Sequence, residues 1–298
     1  MTDIVVTATD QIETLGNSLI QHGELNQRIY LMKLAPSDVP QIRDELDELA
    51  RARSYDKIFA KVPARFESNF LASGYRVEAR IPNFYQGCEA GVFLGKYLSS
   101  ERAQERRPER VQDVYRAACE KAGAGTDGQP VIDFDYTIRV AQPADINAMA
   151  ELYRIVFATY PFPIDDPGYL LETMANNVIY YGVWKDEQLL ALASAEIDFV
   201  AEHAEMTDFA THPAALGHGF ATRLLARMEH DLRPRSIKTS YTIARAYSFG
   251  MNITFARLGY KFSGTLINNT DISGGLESMN VWYKPLMRDA NPARQPDH

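Results

Sequence analysis

The chain has 298 residues, 46% of them hydrophobic and 23% charged, which is enough for two ordinary domains with separate cores. A formal net charge of −8 with no basic run to offset it argues against nucleic-acid binding and suits a small cationic substrate. Cys88 and Cys119 are too few and too distant for a metal cluster or a disulfide framework, so no metal is expected and a reducing cytoplasm is the simplest setting. MTDIVVTATDQ lacks the basic flank and apolar segment of an export signal, and no apolar run reaches about 18 residues, so no membrane association is expected.

In chain order, the pattern predicts a strand at 29–34 and an amphipathic helix at 37–53 with Ser37 or Asp38 as N-cap. A strand at 57–62, a short helix at 64–73 and strands at 75–81 and 91–98 follow. Between Arg102 and Asp135 a charged helical stretch runs into Gly, Asp and Pro, and its end, about 122–132, reads as a linker. The boundary separates an N-terminal α/β domain, 1–130, from a second domain, 131–298.

The second domain opens with a strand at 136–140, a helix at 143–158, the loop Thr159-Tyr160-Pro161-Phe162-Pro163 and a helix at 167–176. Strands at 178–184 and 189–197 flank a polar turn, and a strand at 205–211 precedes a helix at 217–231. A strand at 237–244, a helix at 250–258 and strands at 260–267 and 276–284 complete it. One internal echo links the halves: Phe70-x-x-x-Gly74-Tyr75-Arg76 matches Phe255-x-x-x-Gly259-Tyr260-Lys261, each leading to a strand pair that ends in Lys96-Tyr97 or Tyr283-Lys284. If the echo is real, the first domain is an incomplete copy of the second that lacks its glycine turn.

That turn lies in AEMTDFATHPAALGHGFATRLLA, residues 204–226. His212 and Pro213 break the strand, and Leu216-Gly217-His218-Gly219-Phe220-Ala221 opens the next helix. Free backbone N–H groups at the positive end of a helix dipole make an anion site suited to a pyrophosphate. Two glycines alone fit a plain tight turn equally well; the strand before them favours the anion site.

The element order and this turn resemble the GNAT acetyltransferases, whose Q/R-x-x-G-x-G/A motif holds the pyrophosphate of acetyl-CoA. The resemblance implies a mixed α/β GNAT fold, with acetyl-CoA bound by the backbone of Leu216, Gly217, His218, Gly219, Phe220, Ala221 and Thr222. Leu216 departs from the motif and removes one side-chain contact to phosphate. The resemblance further implies a splay near 209–211 that leaves the backbone of Phe209, Ala210 and Thr211 to pair with the pantetheine arm. It also makes Asn252 a cofactor contact and puts Phe255 where a tyrosine general acid is customary. IYLMKL, YDKIFAKVP, GYRVEARIPNFYQG, AEMTDFAT, ARAYSFGMN and LINNTDISGGLESMNVWYK, in this order across about residues 22–286, are similar to the AblB-type β-lysine N-acetyltransferases. That resemblance implies acetylation of the terminal amine of β-lysine to Nε-acetyl-β-lysine, a compatible solute.

Attack on a thioester requires a neutral amine, and a lysine-type amine with a pKa near 10.4 is almost wholly protonated at pH 7. A carboxylate near the thioester is therefore the main chemical requirement, and Glu205 is the first candidate. Strand alternation puts 205, 207, 209 and 211 on one face and Asp208 on the other, where a structural role with an Arg or a loop is expected. Glu196 faces either the substrate cleft or solvent. Tyr247 is the nearest substitute for the general acid.

An acceptor with a carboxylate and two amines needs both signs of charge. The candidates are Tyr160, Phe162, Arg245, Asn268, Glu277 and Asn280, with Arg245 gripping the carboxylate and Glu277 an ammonium. His212 and His218 read as makers of local hydrogen bonds. The IPNFYQG segment at 81–87 reads as a substrate contact or as turns. Three roles stay open for the first domain: a wall of the acceptor site, a homodimer contact, or plain packing. Two other readings also stand, transfer to another amine such as a polyamine or ornithine, and a non-catalytic acyl-CoA-binding module.

Overall fold

In the computed structural model, residues 10–125 and 135–286 are described, and among them thirteen strands join in one mixed sheet. Residues 1–9 of the opening segment and the linker expected beyond 125 lie outside the described residues. The first half contains β1 (Gln11–Leu15), β2 (Ser18–Gly23), β3 (Arg28–Lys33), α1 (Ile42–Arg53), β4 (Lys57–Pro63), α2 (Glu67–Leu71), β5 (Arg76–Tyr85), β6 (Glu89–Tyr97) and α3 (Pro108–Glu120). The second contains β7 (Tyr136–Val140), α4 (Ile146–Val156), α5 (Pro167–Asn176), β8 (Val178–Lys185), β9 (Gln188–Asp198), β10 (His203–Thr211), α6 (Phe220–Leu232), β11 (Thr239–Arg245), α7 (Phe249–Arg257), β12 (Lys261–Asp271) and β13 (Leu276–Pro285).

Strand order is β1-β2-β3-β4-β6-β5-β12-β13-β11-β10-β9-β8-β7. The pairs β3/β4 and β10/β11 are parallel and the other pairs are antiparallel. The hairpin β1/β2 was not expected, although Gly16 (φ 61°) and Asn17 between two strands are a two-residue turn signal. Helix α1 starts at Ile42, five residues later than expected. Asp38 does not cap it, because its carboxylate accepts from Asn17 N and Ser18 Oγ, each at 2.7 Å.

The echo between the halves is a matched local structure. Phe70 and Tyr75 meet edge to face at 5.1 Å, and Phe255 and Tyr260 do so at 4.9 Å. Gly74 (φ 85°) and Gly259 (φ 81°) make the same left-handed turn between them. Lys96 reaches Asp47 on α1, as Lys284 reaches Glu229 on α6. Aligning Lys96 with Lys284 puts Phe59 on Tyr241 and Tyr30 on Glu205, by strand register.

Helices α1 and α2 pack over Ile29, Leu31, Ile58 and Ala60, so alternation turns Arg28, Tyr30 and Met32 to the opposite face. A central cluster of Tyr30, Phe59, Phe84, Phe93, Tyr241, Leu266 and Met279 joins the halves. At the seam, a Cβ on Gly264 would lie 1.9 Å from Glu78 O, so only glycine allows β5 and β12 to approach this closely. Lys57 and Glu78 form a buried ion pair at 3.1 Å, and Lys57 Nζ also donates to Ile267 O at 2.7 Å. Arg102 clasps the seam by donating to Asp56 Oδ1 (2.6 Å), Asn26 O (2.8 Å) and Asn268 O (2.7 Å).

Candidate active site

The centre of the site is a kink in β10. Opposite β9, Glu205 faces Glu196, Thr207 faces Ser194 and Ala210 faces Leu192, so Asp208 and Phe209 together oppose the single residue Ala193. Asp208 adopts φ 54° in this bulge. The extra residue reverses the alternation. Asp208 joins Glu205 and Thr207 on the cavity wall, while Phe209, which also borders the cavity, turns its ring to the α7 side and meets Phe255 edge to face at 5.6 Å. The expected shared face of 205, 207, 209 and 211 is thereby corrected. Among the described residues Asp208 pairs with no arginine: its carboxylate accepts from Tyr160 Oη and Ser194 Oγ, both at 2.5 Å.

Pairing of β10 with β11 ends at Glu205↔Tyr241, so the strands part just after Glu205, before the expected point at 209–211. The cavity opens beside this split and draws its lining from both halves. Tyr160, Phe162, Glu196, Glu205, Thr207, Asp208, Arg245 and Phe255 come from the second half, and Gln21, Arg28, Tyr30, Met32, Phe59 and Lys61 from the first. Tyr160 and Phe162 sit on the loop before α5, a helix capped by Asp166, whose carboxylate accepts from Tyr169 N at 2.8 Å.

Burial raises the Glu205 carboxyl to about 7, with Glu196 adding to the shift and Lys61 opposing it. Burial likewise raises Glu196 and Asp208. Burial disfavours charge on Lys61, but Tyr241, Tyr30 and Glu205 outweigh it and keep the ammonium protonated. The Lys61 ammonium donates to the Tyr241 hydroxyl at 2.9 Å. A carboxyl group poised near neutrality in a partly desolvated cavity is suited to take a proton from an ammonium.

Beyond the split, Gly217 (φ 85°) and Gly219 (φ 72°) shape the turn into α6. Gly219 is its N-cap, without a side-chain cap. Among the described residues the amides of Gly217, His218 and Gly219 have no backbone partner, and those of Phe220, Ala221 and Thr222 are the first three of the helix. The Phe220 ring is buried against Tyr136 (5.2 Å), so its place in the turn is a backbone one. Leu216 is exposed, and His218 Nδ1 contacts Ala215 O at 3.2 Å. A Cβ at Gly217 would meet nothing within 4 Å, which leaves open space over the amides. This turn fits a pyrophosphate.

Other expected site residues have structural roles. Asn252 uses all four of its hydrogen-bonding positions internally: Nδ2 donates to Arg245 O and Ser248 O, and Oδ1 accepts from Asn280 Nδ2 and Trp282 Nε1. Asn280 is completed by Thr265 Oγ1 at 2.8 Å. Asn268 Nδ2 donates to Arg102 O and Gln104 O, fastening the segment after β6. Arg245 and Glu277 bond each other through two contacts, 2.6 and 3.1 Å, rather than holding opposite ends of a substrate. Tyr247 does not line the cavity, and its hydroxyl donates to Glu105 Oε1 at 2.5 Å. In the 81–87 segment, Phe84 stacks on His203 at 4.0 Å and joins the two halves. The missed residues carry a faint signal: Lys57 and Lys61, charged and four apart, stand on one face of an otherwise apolar strand.

Residues 149–260 match the acetyltransferase (GNAT) family. The chain is 36% identical to a beta-lysine N(6)-acetyltransferase of Methanococcus maripaludis over 92% of its own length and 98% of the relative's. A beta-lysine N(6)-acetyltransferase of Methanosarcina mazei is 33% identical over 83% and 97% of the two chains. N-acetyltransferase YodP of Bacillus subtilis is 32% identical over 90% and 96%. With near-complete overlap at this identity, the chain belongs to the GNAT family and is an acetyl-CoA-dependent N-acetyltransferase.

Proposed function

We propose that the protein acetylates the side-chain (ε) amine of β-lysine to give Nε-acetyl-β-lysine, with Glu205 as general base. The observation that carries the reading is Glu205, raised to about 7, at the point where β10 and β11 part, in a cavity that also holds Glu196 and Asp208. These acids suit a cationic amine, and two relatives are named for beta-lysine.

Acetyl-CoA supplies a thioester whose carbonyl carbon is the electrophile. The amides from Gly217 to Thr222 hold its pyrophosphate, and the unpaired edge of β10 after Glu205 lies along its arm. Glu205, as the carboxylate, takes one proton from the ε-ammonium, directly or through a water. The freed nitrogen forms the C–N bond as the C–S bond breaks, and the second proton that the nitrogen sheds passes to the departing thiolate, giving the amide and the CoA thiol. Free N–H groups of the β10 edge polarise the carbonyl oxygen. A thiol has a pKa of roughly 8.5, so the sulfur can leave without a dedicated acid, consistent with Phe255 in the customary tyrosine place and Tyr247 engaged by Glu105.

We read residues 131–298 as the GNAT domain and 1–130 as a degenerate copy. The support is the repeated strand order and the paired Phe–Gly–Tyr and Lys–acid contacts. Tyr30 stands where the second copy has Glu205, and the copy's role is to wall the acceptor cavity. Both walls come from one chain, so a homodimer is not needed to complete the site.

The test is acetyl-CoA consumption with β-lysine, α-lysine, ornithine and spermidine as acceptors. A kcat/KM highest for β-lysine supports the assignment. Equal or better turnover of spermidine would remove β-lysine and leave the acetyl-transfer chemistry standing.

A further inference from the structure

The acidic cluster accounts for one end of the cavity; the other end carries a buried positive charge that the acetyl-transfer step does not use. Arg28, on β3, is 3% exposed, and Gln21, on β2, is 1% exposed. Gln21 pairs in register with Tyr30, and Tyr30 shares its strand face with Arg28, so all three turn to the cavity they line. Arg28 Nη1 donates to Asn269 O at 2.6 Å and Thr270 Oγ1 at 3.0 Å, but Nε has no partner. Gln21 Nε2 has none either. Asp10 is the acid that acts most on Arg28, yet it stands beyond ion-pair distance and its Oδ2 accepts from Asn26 at 2.7 Å. A buried guanidinium with no carboxylate in contact is costly, and a second unpaired donor beside it adds to the cost.

We propose that Arg28 and Gln21 form the subsite for the acceptor's carboxylate, so that the degenerate half selects amino acids over simple amines. The inference rests on the reading of the acceptor as a diamino acid. A cation and an amide donor on one wall match the two oxygens of a carboxylate. Asn269 Oδ1, also buried and unpartnered on the cavity wall, is an acceptor suited to the second ammonium. The two poles lie on either side of Tyr30. Arg28 is 5.6 Å from its ring centroid, while its hydroxyl feels Lys61, Glu205 and Glu196. An amino acid bound by its head at Arg28, Gln21 and Asn269 therefore directs its distal amine to Glu205. This assigns the acetylated nitrogen as well as the substrate class. A polyamine would leave Arg28 and Gln21 unpaired, a penalty that favours acceptors with a carboxylate.

The experiment measures kcat/KM for β-lysine, its carboxamide and 1,4-diaminopentane (the same chain without the carboxylate) in the wild type, Arg28→Gln, Arg28→Lys and Gln21→Met. The Gln21 side chain makes no hydrogen bond with the described residues, so Gln21→Met removes no bond the fold uses. The expected result is a fall of roughly 10- to 100-fold in the ratio of β-lysine to 1,4-diaminopentane for Arg28→Gln, carried by KM for β-lysine. Arg28→Lys and Gln21→Met should show smaller falls. A ratio that stays at the wild-type value, whether both rates fall together or neither falls, overturns the proposal. If the wild type prefers α-lysine or ornithine, β-lysine is lost as the substrate, and the same ratio measured with that amino acid and its decarboxylated amine still tests the subsite. A wild type that prefers 1,4-diaminopentane overturns both.

Discussion

The Lys61 ammonium, from the first half of the chain, donates to the Tyr241 hydroxyl at 2.9 Å, and Tyr241 is the last residue of β11 to pair with β10, opposite Glu205. The proposed base is therefore held next to a cation from the other half of the chain. Replacing Lys61 with Met should move the Glu205 pKa upward, because Lys61 opposes its rise. The acid limb of the kcat/KM profile would shift alkaline by about one unit, with the rate partly recovered above it. A profile that only scales down, with its midpoint fixed, would assign Lys61 to folding or binding.

Glu205→Gln should lower kcat by roughly 100-fold or more and abolish the limb with a midpoint near pH 7. Stopped assays from pH 5.5 to 9 with saturating acetyl-CoA would show it. If that limb persists in the variant, another group is the base.

The same group links stability to pH. Folding raises Glu205 from 4.5 to about 7, so between those values the folded state binds more protons than the unfolded one. Its contribution is fully present below pH 4.5 and is lost as pH rises through 7, an effect of about 1–3 kcal/mol. Urea denaturation at pH 8 should find Glu205→Gln more stable than wild type by that order, with the difference closing toward pH 5. An equal difference at both pH values would remove Glu205 as its source.

Gly217 carries φ 85° with free space around its Cβ position, so Gly217→Ala adds strain at the turn without a clash. The expected outcome is a KM for acetyl-CoA about tenfold higher or more, with the KM for the amine retained. Calorimetric titration with acetyl-CoA should show the same weakening. Unchanged affinity would place the pyrophosphate elsewhere.

At the seam, Glu78→Ala would leave Lys57 buried without its counter-charge, which should destabilise the protein by about 3–5 kcal/mol. Thermal unfolding would report it as a clear drop in Tm. A loss below about 1 kcal/mol would mean that Lys57 sheds its proton or finds water.

Much of the second half was legible in the sequence. The strand at 136–140 and the helix at 167–176 were placed to the residue, because short periodic runs there are bounded by strong breakers. The glycine turn was legible for the same reason. The bulge at Asp208 was not, since period-two alternation has no term for an inserted residue, and it put Asp208 on the face away from the cavity. Arg245, Glu277, Asn252 and Asn280 had the right chemistry for a site but bond one another or the nearby backbone, a pairing set by strand register. Arg28, Tyr30 and Lys61 went unseen because nothing in local pattern says which distant strand will face them.

The divided cavity wall also has a kinetic consequence. Lys61 and Tyr241 are 180 residues apart in the chain, and Arg28 and Thr270 are 242 apart. Contacts at such separation close late, after local helices and hairpins have formed. Acceptor recognition should therefore be among the last properties to appear on refolding, lagging the return of helical signal. A ribosome must release nearly the whole chain before the nascent enzyme can tell one amine from another.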